Sequence, residues 1–98
     1  MKLGKVVGTV VATQKTEALK GTKLLVVAEC APDGEPMESY TVAIDAVGAG
    51  VDEIVLVVAG SSARITTETR DCPVDATIIA IVDTIEADGT ITYRKHAG

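Results

Sequence analysis

The sequence contains no Phe and no Trp, and Tyr40 and Tyr93 are its only aromatic residues by the usual count. It therefore lacks the stacking platform on which single-stranded nucleic acid is held. Basic residues are also in the minority, nine Lys and Arg against 14 Asp and Glu, for a net charge of -5. Clustered cations that would neutralise phosphates are missing, and nucleic-acid binding is not expected. Long apolar runs are absent too. Ile54 to Ala59 and Ala76 to Val82 are among the longest, well short of the roughly 20 residues that span a bilayer. No secretory signal is read at the N-terminus, so a soluble cytoplasmic protein with no membrane partner is expected. Cysteine is scarce: Cys30 and Cys72 stand far apart, in no CxxC spacing and beside no histidine cluster. Two reduced thiols fit better than a zinc site or a redox pair. The lone His96 sits in a polar C-terminal stretch and reads as a solvated tail residue.

What is present is small and branched: 14 Val, 13 Ala, 12 Thr and 8 Ile among 98 residues. That length sets a ceiling of one domain, 1–98, and that composition favours strands. Extended segments are expected at Lys2 to Lys15, Thr22 to Cys30, Tyr40 to Asp45, Glu53 to Ala59, Thr77 to Asp83 and Thr90 to Lys95. Between them lie Ala18-Leu19-Lys20-Gly21, Ala31 to Pro36, Gly48-Ala49-Gly50 and Asp88-Gly89, which carry the Gly, Pro and Asp chemistry of turns. Asp88-Gly89 suits a tight hairpin. Ser61-Ser62-Ala63-Arg64 is the one stretch that reads as a short helix, with Ser61 placed to cap it. The expected fold is an all-β barrel or sandwich with one short helix, and a small barrel of about five strands closes the sheet so that its edges are protected.

Alternation fails in an informative way. Val6-Val7, Val10-Val11, Leu24 to Val27, Val57-Val58 and Ile78-Ile79 are neighbours, and neighbours on a strand point to opposite faces. Both faces of the sheet are then apolar. One face fills the barrel; the other needs cover, and each Val or Ile fully covered contributes about 1.5–3 kcal/mol. Loops folded over the outside would supply that cover, but association with further copies, in a closed ring or a dimer, supplies more of it.

Candidate chemistry is thin. Val47-Gly48-Ala49-Gly50-Val51 lacks the Gly-Lys-Ser/Thr of a phosphate loop. It reads as a turn in which Gly48 and Gly50 allow positive φ or a close backbone approach, including approach by another subunit. Gly60-Ser61-Ser62-Ala63-Arg64 lacks the second glycine of a nucleophile elbow. Asp45, Asp75 and Asp83 adjoin apolar strands, and Asp83 to Gly89 places Ile85 and Ala87 where a calcium loop needs oxygen ligands. These carboxylates read as strand-end acceptors of backbone amides, paired with Arg64 or Arg70. No catalytic, metal or cofactor residues are assigned.

Several pieces, in order, resemble the EutN/CcmL family of bacterial microcompartment vertex proteins. They are Leu3 to Thr13, Leu19 to Leu25, Val42 to Gly50, Val55-Leu56-Val57, Gly60 to Arg64, and Pro73 to Ala76 leading to Ile81-Val82-Asp83. The resemblance runs over nearly the whole chain. It implies an OB-like barrel that assembles into a homopentamer at the corners of a protein shell whose facets are hexameric tiles, without catalysis. Carried onto this chain, it implies that Asp45, Gly48, Ala49, Gly50, Ser61, Ser62 and Arg64 lie at or near subunit contacts, with Asp75 and Asp83 flanking the strand that completes the barrel. The family commonly has Gly where Asp52 stands here; Asp tolerates left-handed backbone, so the turn is expected to survive. The alternative reading is an OB-like oligomeric binding module for a small ligand or single-stranded nucleic acid.

Overall fold

The computed structural model describes residues 1–13, 16–60 and 75–95. Among the described residues seven strands follow in order, β1 (Lys2–Val10), β2 (Leu24–Cys30), β3 (Pro36–Asp45), β4 (Ile54–Ala59), β5 (Ala76–Ile81), β6 (Thr84–Ala87) and β7 (Thr90–Arg94), and a 3-10 turn lies at Glu17–Leu19. The first five close a barrel in the order β1-β2-β3-β5-β4, and β6 and β7 form a separate two-stranded hairpin. The five-stranded barrel expected from composition is present. The expected short helix at Ser61 to Arg64 lies outside the described residues, as do Cys72 and His96.

All barrel pairs are antiparallel except β3 with β5. That parallel seam is two residues deep, Ile44 opposite Thr77 and Asp45 opposite Ile78. A five-stranded barrel is narrow, so its interior admits only modest side chains. The core is correspondingly built from Val6, Leu25, Val27, Ala43, Ala49, Val55, Val57, Ala76 and Ile78. Here the missing aromatics find their reason. Gly4 belongs to the same constraint: a Cβ there would collide with Val27 Cγ1 and stand 3.3 Å from the Ala28 carbonyl oxygen.

Strand boundaries differ from expectation at several places: β1 ends at Val10, short of the expected Lys15, and β2 begins at Leu24, two residues after the expected Thr22. β3 starts at Pro36 rather than Tyr40, because a proline can open an edge strand, where its missing N–H is not needed; it pairs there with Cys30. The turn before it spans Ala31 to Glu35, with Gly34 at φ 86° and the Asp33 carboxylate accepting the Glu35 N–H at 2.9 Å. The segment expected as Thr77 to Asp83 stops at Ile81, and Thr84 to Ala87 is a strand of its own. Asp88 and Gly89 both have positive φ, 53° and 78°, the geometry of the tight hairpin turn expected from their residue types.

The hairpin covers one flank of the barrel. Thr92 donates its hydroxyl to the Pro32 carbonyl, and the Tyr93 ring and Ile54 side chain both crowd Gly34. Val82 donates its N–H to the Ile54 carbonyl at 2.8 Å. Ile54 is thereby buried, although its strand neighbour Val55 points into the barrel core.

Candidate subunit interface

Four of the nine sequence-predicted residues, Asp45, Gly48, Ala49 and Gly50, lie at the turn that leaves β3. Asp45 ends that strand, and its Oδ1 accepts the N–H groups of Val47 and Gly48, each at 3.0 Å. The carboxylate is therefore the strand-end amide acceptor it was read to be. Its cationic neighbour is Lys23, whose Nζ lies 3.6 Å from Asp45 Oδ2 and donates to the Ala49 carbonyl at 2.7 Å. The expected partners Arg64 and Arg70 lie outside the described residues.

The turn is braced again on its far side. Glu53 Oε1 accepts the Gly50 N–H at 2.6 Å, and Glu53 Oε2 meets Lys95 Nζ at 2.7 Å. Hydrogen bonding from Lys95, then from the Gly50 amide, holds the Glu53 carboxyl below the usual glutamate range. The same bond raises the Lys95 ammonium above its ordinary value. Backbone bonds tie the turn to β1: Asp52 donates to the Val6 carbonyl at 2.8 Å, and Val6 donates to the Glu53 carbonyl at 3.0 Å. Asp52 sits at φ 74°, so aspartate does occupy the left-handed position where the resembled family commonly has Gly.

The three turn residues Gly48, Ala49 and Gly50 have different surroundings. Gly48 is exposed, at φ 79°, with no atom within 4 Å of a Cβ built on it. Ala49 is fully buried in the barrel core; it anchors the turn and offers no surface of its own. Gly50 faces Glu53, whose Oε1 would lie 3.4 Å from an added Cβ. Asp75 and Asp83 are exposed at opposite ends of β5. Asp75 contributes its carbonyl to the Gly60 N–H and Asp83 its carbonyl to the Lys95 N–H, both at 2.8 Å. Ser61, Ser62 and Arg64 lie outside the described residues. Lys23, Glu53 and Lys95 were not singled out from the sequence. Lys23 had a signal, an ammonium immediately before an apolar run, whereas the Glu53–Lys95 pair joins distant parts of the chain.

The outward apolar residues divide into two groups. Ile44, Ile54 and Val58 are covered by their own chain. Val7, Val42, Val47 and Val51 remain 40–51% exposed, and Tyr40 is 64% exposed. Val42 stands opposite Val26, and Val26 opposite Gly8, in one row across three strands; Val7 lies beside that row at a β-bulge. Every residue from Pro36 to Val42 is exposed. A groove of about 460 Å³ borders the turn, lined by Lys20, Thr22, Lys23, Ile44, Asp45 and Gly48 among others.

Among the described residues no group of three or more His, Cys, Asp or Glu could hold a metal ion. Cys30 is buried. Burial first, and the carboxylates of Asp33 and Glu29 next, push its thiol up, away from the reactive thiolate. No helix among the described residues is long and apolar enough to cross a membrane.

Against this geometry, comparisons with known proteins are consistent along the chain. The family model described as ethanolamine utilisation protein EutN/carboxysome matches residues 1–83. The carboxysome shell vertex protein CcmL of Thermosynechococcus vestitus is 47% identical over 96 residues, 98% of this chain and 97% of that protein. The structure of Gloeobacter violaceus CcmL, 43% identical, superposes with a TM-score of 0.91 over 97% of this chain and 98% of that one. The GrpN pentameric microcompartment shell protein from Rhodospirillum rubrum, 52% identical, gives a TM-score of 0.81 over 89% of this chain and 99% of that one.

Proposed function

The chain belongs to the EutN/CcmL family of bacterial microcompartment vertex proteins, and from that membership we propose how its barrel serves as a structural component of the shell, in the bacterial cytoplasm, as a pentamer at a vertex. A layer of six-sided tiles lies flat. A five-sided unit at each corner forces the layer to curve and close, so the working property of such a protein is the number and tilt of its copies. The barrel acts through shape and edges, and we read it as noncatalytic. Its partners are four further copies of itself and, around the rim of the ring, hexameric shell tiles.

A five-membered ring needs two different surfaces per protomer, each meeting its complement on a neighbour. The observation that carries this reading is the uncovered outer face, where Val7, Val42, Val47 and Val51 stay exposed while a comparable set is covered by the chain itself. Covering these residues between neighbours removes apolar surface from water. The turn from Asp45 to Gly50 stands beside them, with Gly48 leaving room for a neighbouring backbone. Asp75, Asp83, Ser61, Ser62 and Arg64 complete the proposed contact set.

Native mass spectrometry at neutral pH tests the reading. A species of five subunits is expected; a monomer at micromolar concentration would overturn it. A binding module for a small ligand or a nucleic-acid strand is not favoured, and a gel-shift with single-stranded DNA at low salt should show no retardation.

A further inference from the structure

The Glu53–Lys95 pair is unlike two of the other three ion pairs among the described residues. Lys2 with Glu29 and Lys20 with Glu17 each keep at least one side chain more than 60% exposed, where screening and side-chain entropy leave such pairs weak. Glu53 and Lys95 are only 22% and 27% exposed and meet at 2.7 Å. The two Glu53 oxygens are divided between two tasks: one takes the Lys95 ammonium and the other takes the Gly50 amide. Lys95 is itself fixed at its backbone, which donates to the Asp83 carbonyl. The residue that follows β7 is thus fastened to the residue before β6 by its main chain and to the glycine turn by its side chain. Neither Glu53 nor Lys95 belongs to the barrel core.

We infer that Glu53 and Lys95 are positioning residues for ring assembly: the segment after β7 clasps the turn from Asp45 to Glu53 and holds Gly48 and Gly50 in the shape that a neighbouring subunit meets. The inference rests on the reading that this turn lies at the subunit contact. Lys23 grips the turn at the Ala49 carbonyl and the backbone of Asp52 and Glu53 ties its end to β1, so loss of the Lys95 grip frees the Glu53 side chain that holds the Gly50 amide. The core, which owns Ala49, stays intact. Assembly should therefore respond more than folding does.

The experiment compares wild type with Lys95→Met, Lys95→Arg and Glu53→Gln. Ring dissociation on dilution is followed by native mass spectrometry, melting of the dissociated chain by circular dichroism, and exchange of the Gly50 amide by NMR. Lys95→Met and Glu53→Gln are expected to raise the half-dissociation concentration about tenfold, the effect of one charge-assisted hydrogen bond. They should also speed Gly50 exchange, with little change in melting. Lys95→Arg should preserve ring stability. Unchanged dissociation in a pentameric wild-type background overturns the clasp alone, as does a ring defect matched by an equal loss of chain stability. A monomeric wild type overturns the vertex reading and the clasp together. Should Glu53→Gln fail to fold, Lys95→Met decides, since it changes a side chain outside the core.

Discussion

Gly4 and Gly48 are both small residues among branched neighbours, and the space that each leaves is used differently. At Gly4 the missing side chain is taken up by the chain's own packing, with Val27 Cγ1 and the Ala28 carbonyl occupying the place of a Cβ. At Gly48 nothing of the chain comes within 4 Å of the place a Cβ would take, and the backbone stands at φ 79°. The first glycine lets two strands of a narrow barrel approach; the second gives a turn its shape and leaves open space outside it. Two residues of one type thus mark the inner and outer demands on the molecule.

The comparison breaks most sharply at Gly4. Gly4→Ala should cost about 1–3 kcal/mol through overpacking, and each kcal/mol lowers the melting temperature by about 4–8 °C for a chain of this size. Unaltered melting would show that Val27 yields freely and that Gly4 is not required. Gly48→Val comes next. A β-branched residue in left-handed backbone costs about 1–2 kcal/mol, and the side chain would also enter the proposed contact, so ring mass should fall by native mass spectrometry. Gly89 is the control: it has φ 78°, also has nothing within 4 Å, and sits at the tip of the β6–β7 hairpin. Gly89→Val should carry the same backbone strain and leave the ring intact. If Gly48→Val leaves the ring equally intact, Gly48 leaves the interface.

The smallest effect concerns pH. The Glu53 carboxyl is depressed in the folded chain by Lys95 and the Gly50 amide, so its contribution is present above the ordinary glutamate value and is lost as pH falls through the depressed one. Lys95 is raised, so its contribution is lost only as pH rises through a value above the ordinary lysine one. Other groups acting on the pair are Lys23, beside Glu53, and Asp83 and Tyr93, beside Lys95. The Gly50 amide shift, followed by NMR on acidification, should titrate below the ordinary glutamate midpoint. A midpoint at the ordinary value would mean that the clasp is not formed in solution.

Much of the fold was legible because strand formation is written locally. Paired valines, isolated turn residues and the Asp88-Gly89 dipeptide each act over a few positions, and their readings agree with the structure. Pro36 misled because proline commonly marks a turn, whereas at an edge its missing donor costs nothing. β6 was missed, Thr84 to Ala87 lying between two expected segments, because four residues with two apolar side chains are too short a pattern to announce a strand. The turn at the candidate interface was visible as Gly-Ala-Gly, but not that Ala49 points into the core, since that depends on how β3 and β4 close around it. Nor was the Glu53–Lys95 pair visible: no local pattern connects a residue after Gly-Ala-Gly to one after the final strand. Gly4 had a faint signal, a glycine within a strand pattern, which marks close approach.

The parallel seam between β3 and β5 has a consequence for the order in which the barrel is made. β1, β2 and β3 follow one another and pair in sequence, so the emerging chain can assemble them early as a three-stranded ribbon with Val6, Leu25, Val27 and Ala43 along its underside. That underside stays wet until β4 and β5 arrive, because the partners of Ile44 and Asp45 are Thr77 and Ile78. That seam closes a long loop for two rungs of ladder, and contact order places such pairings late. The ribosome must therefore deliver most of the polypeptide before any of it has an inside.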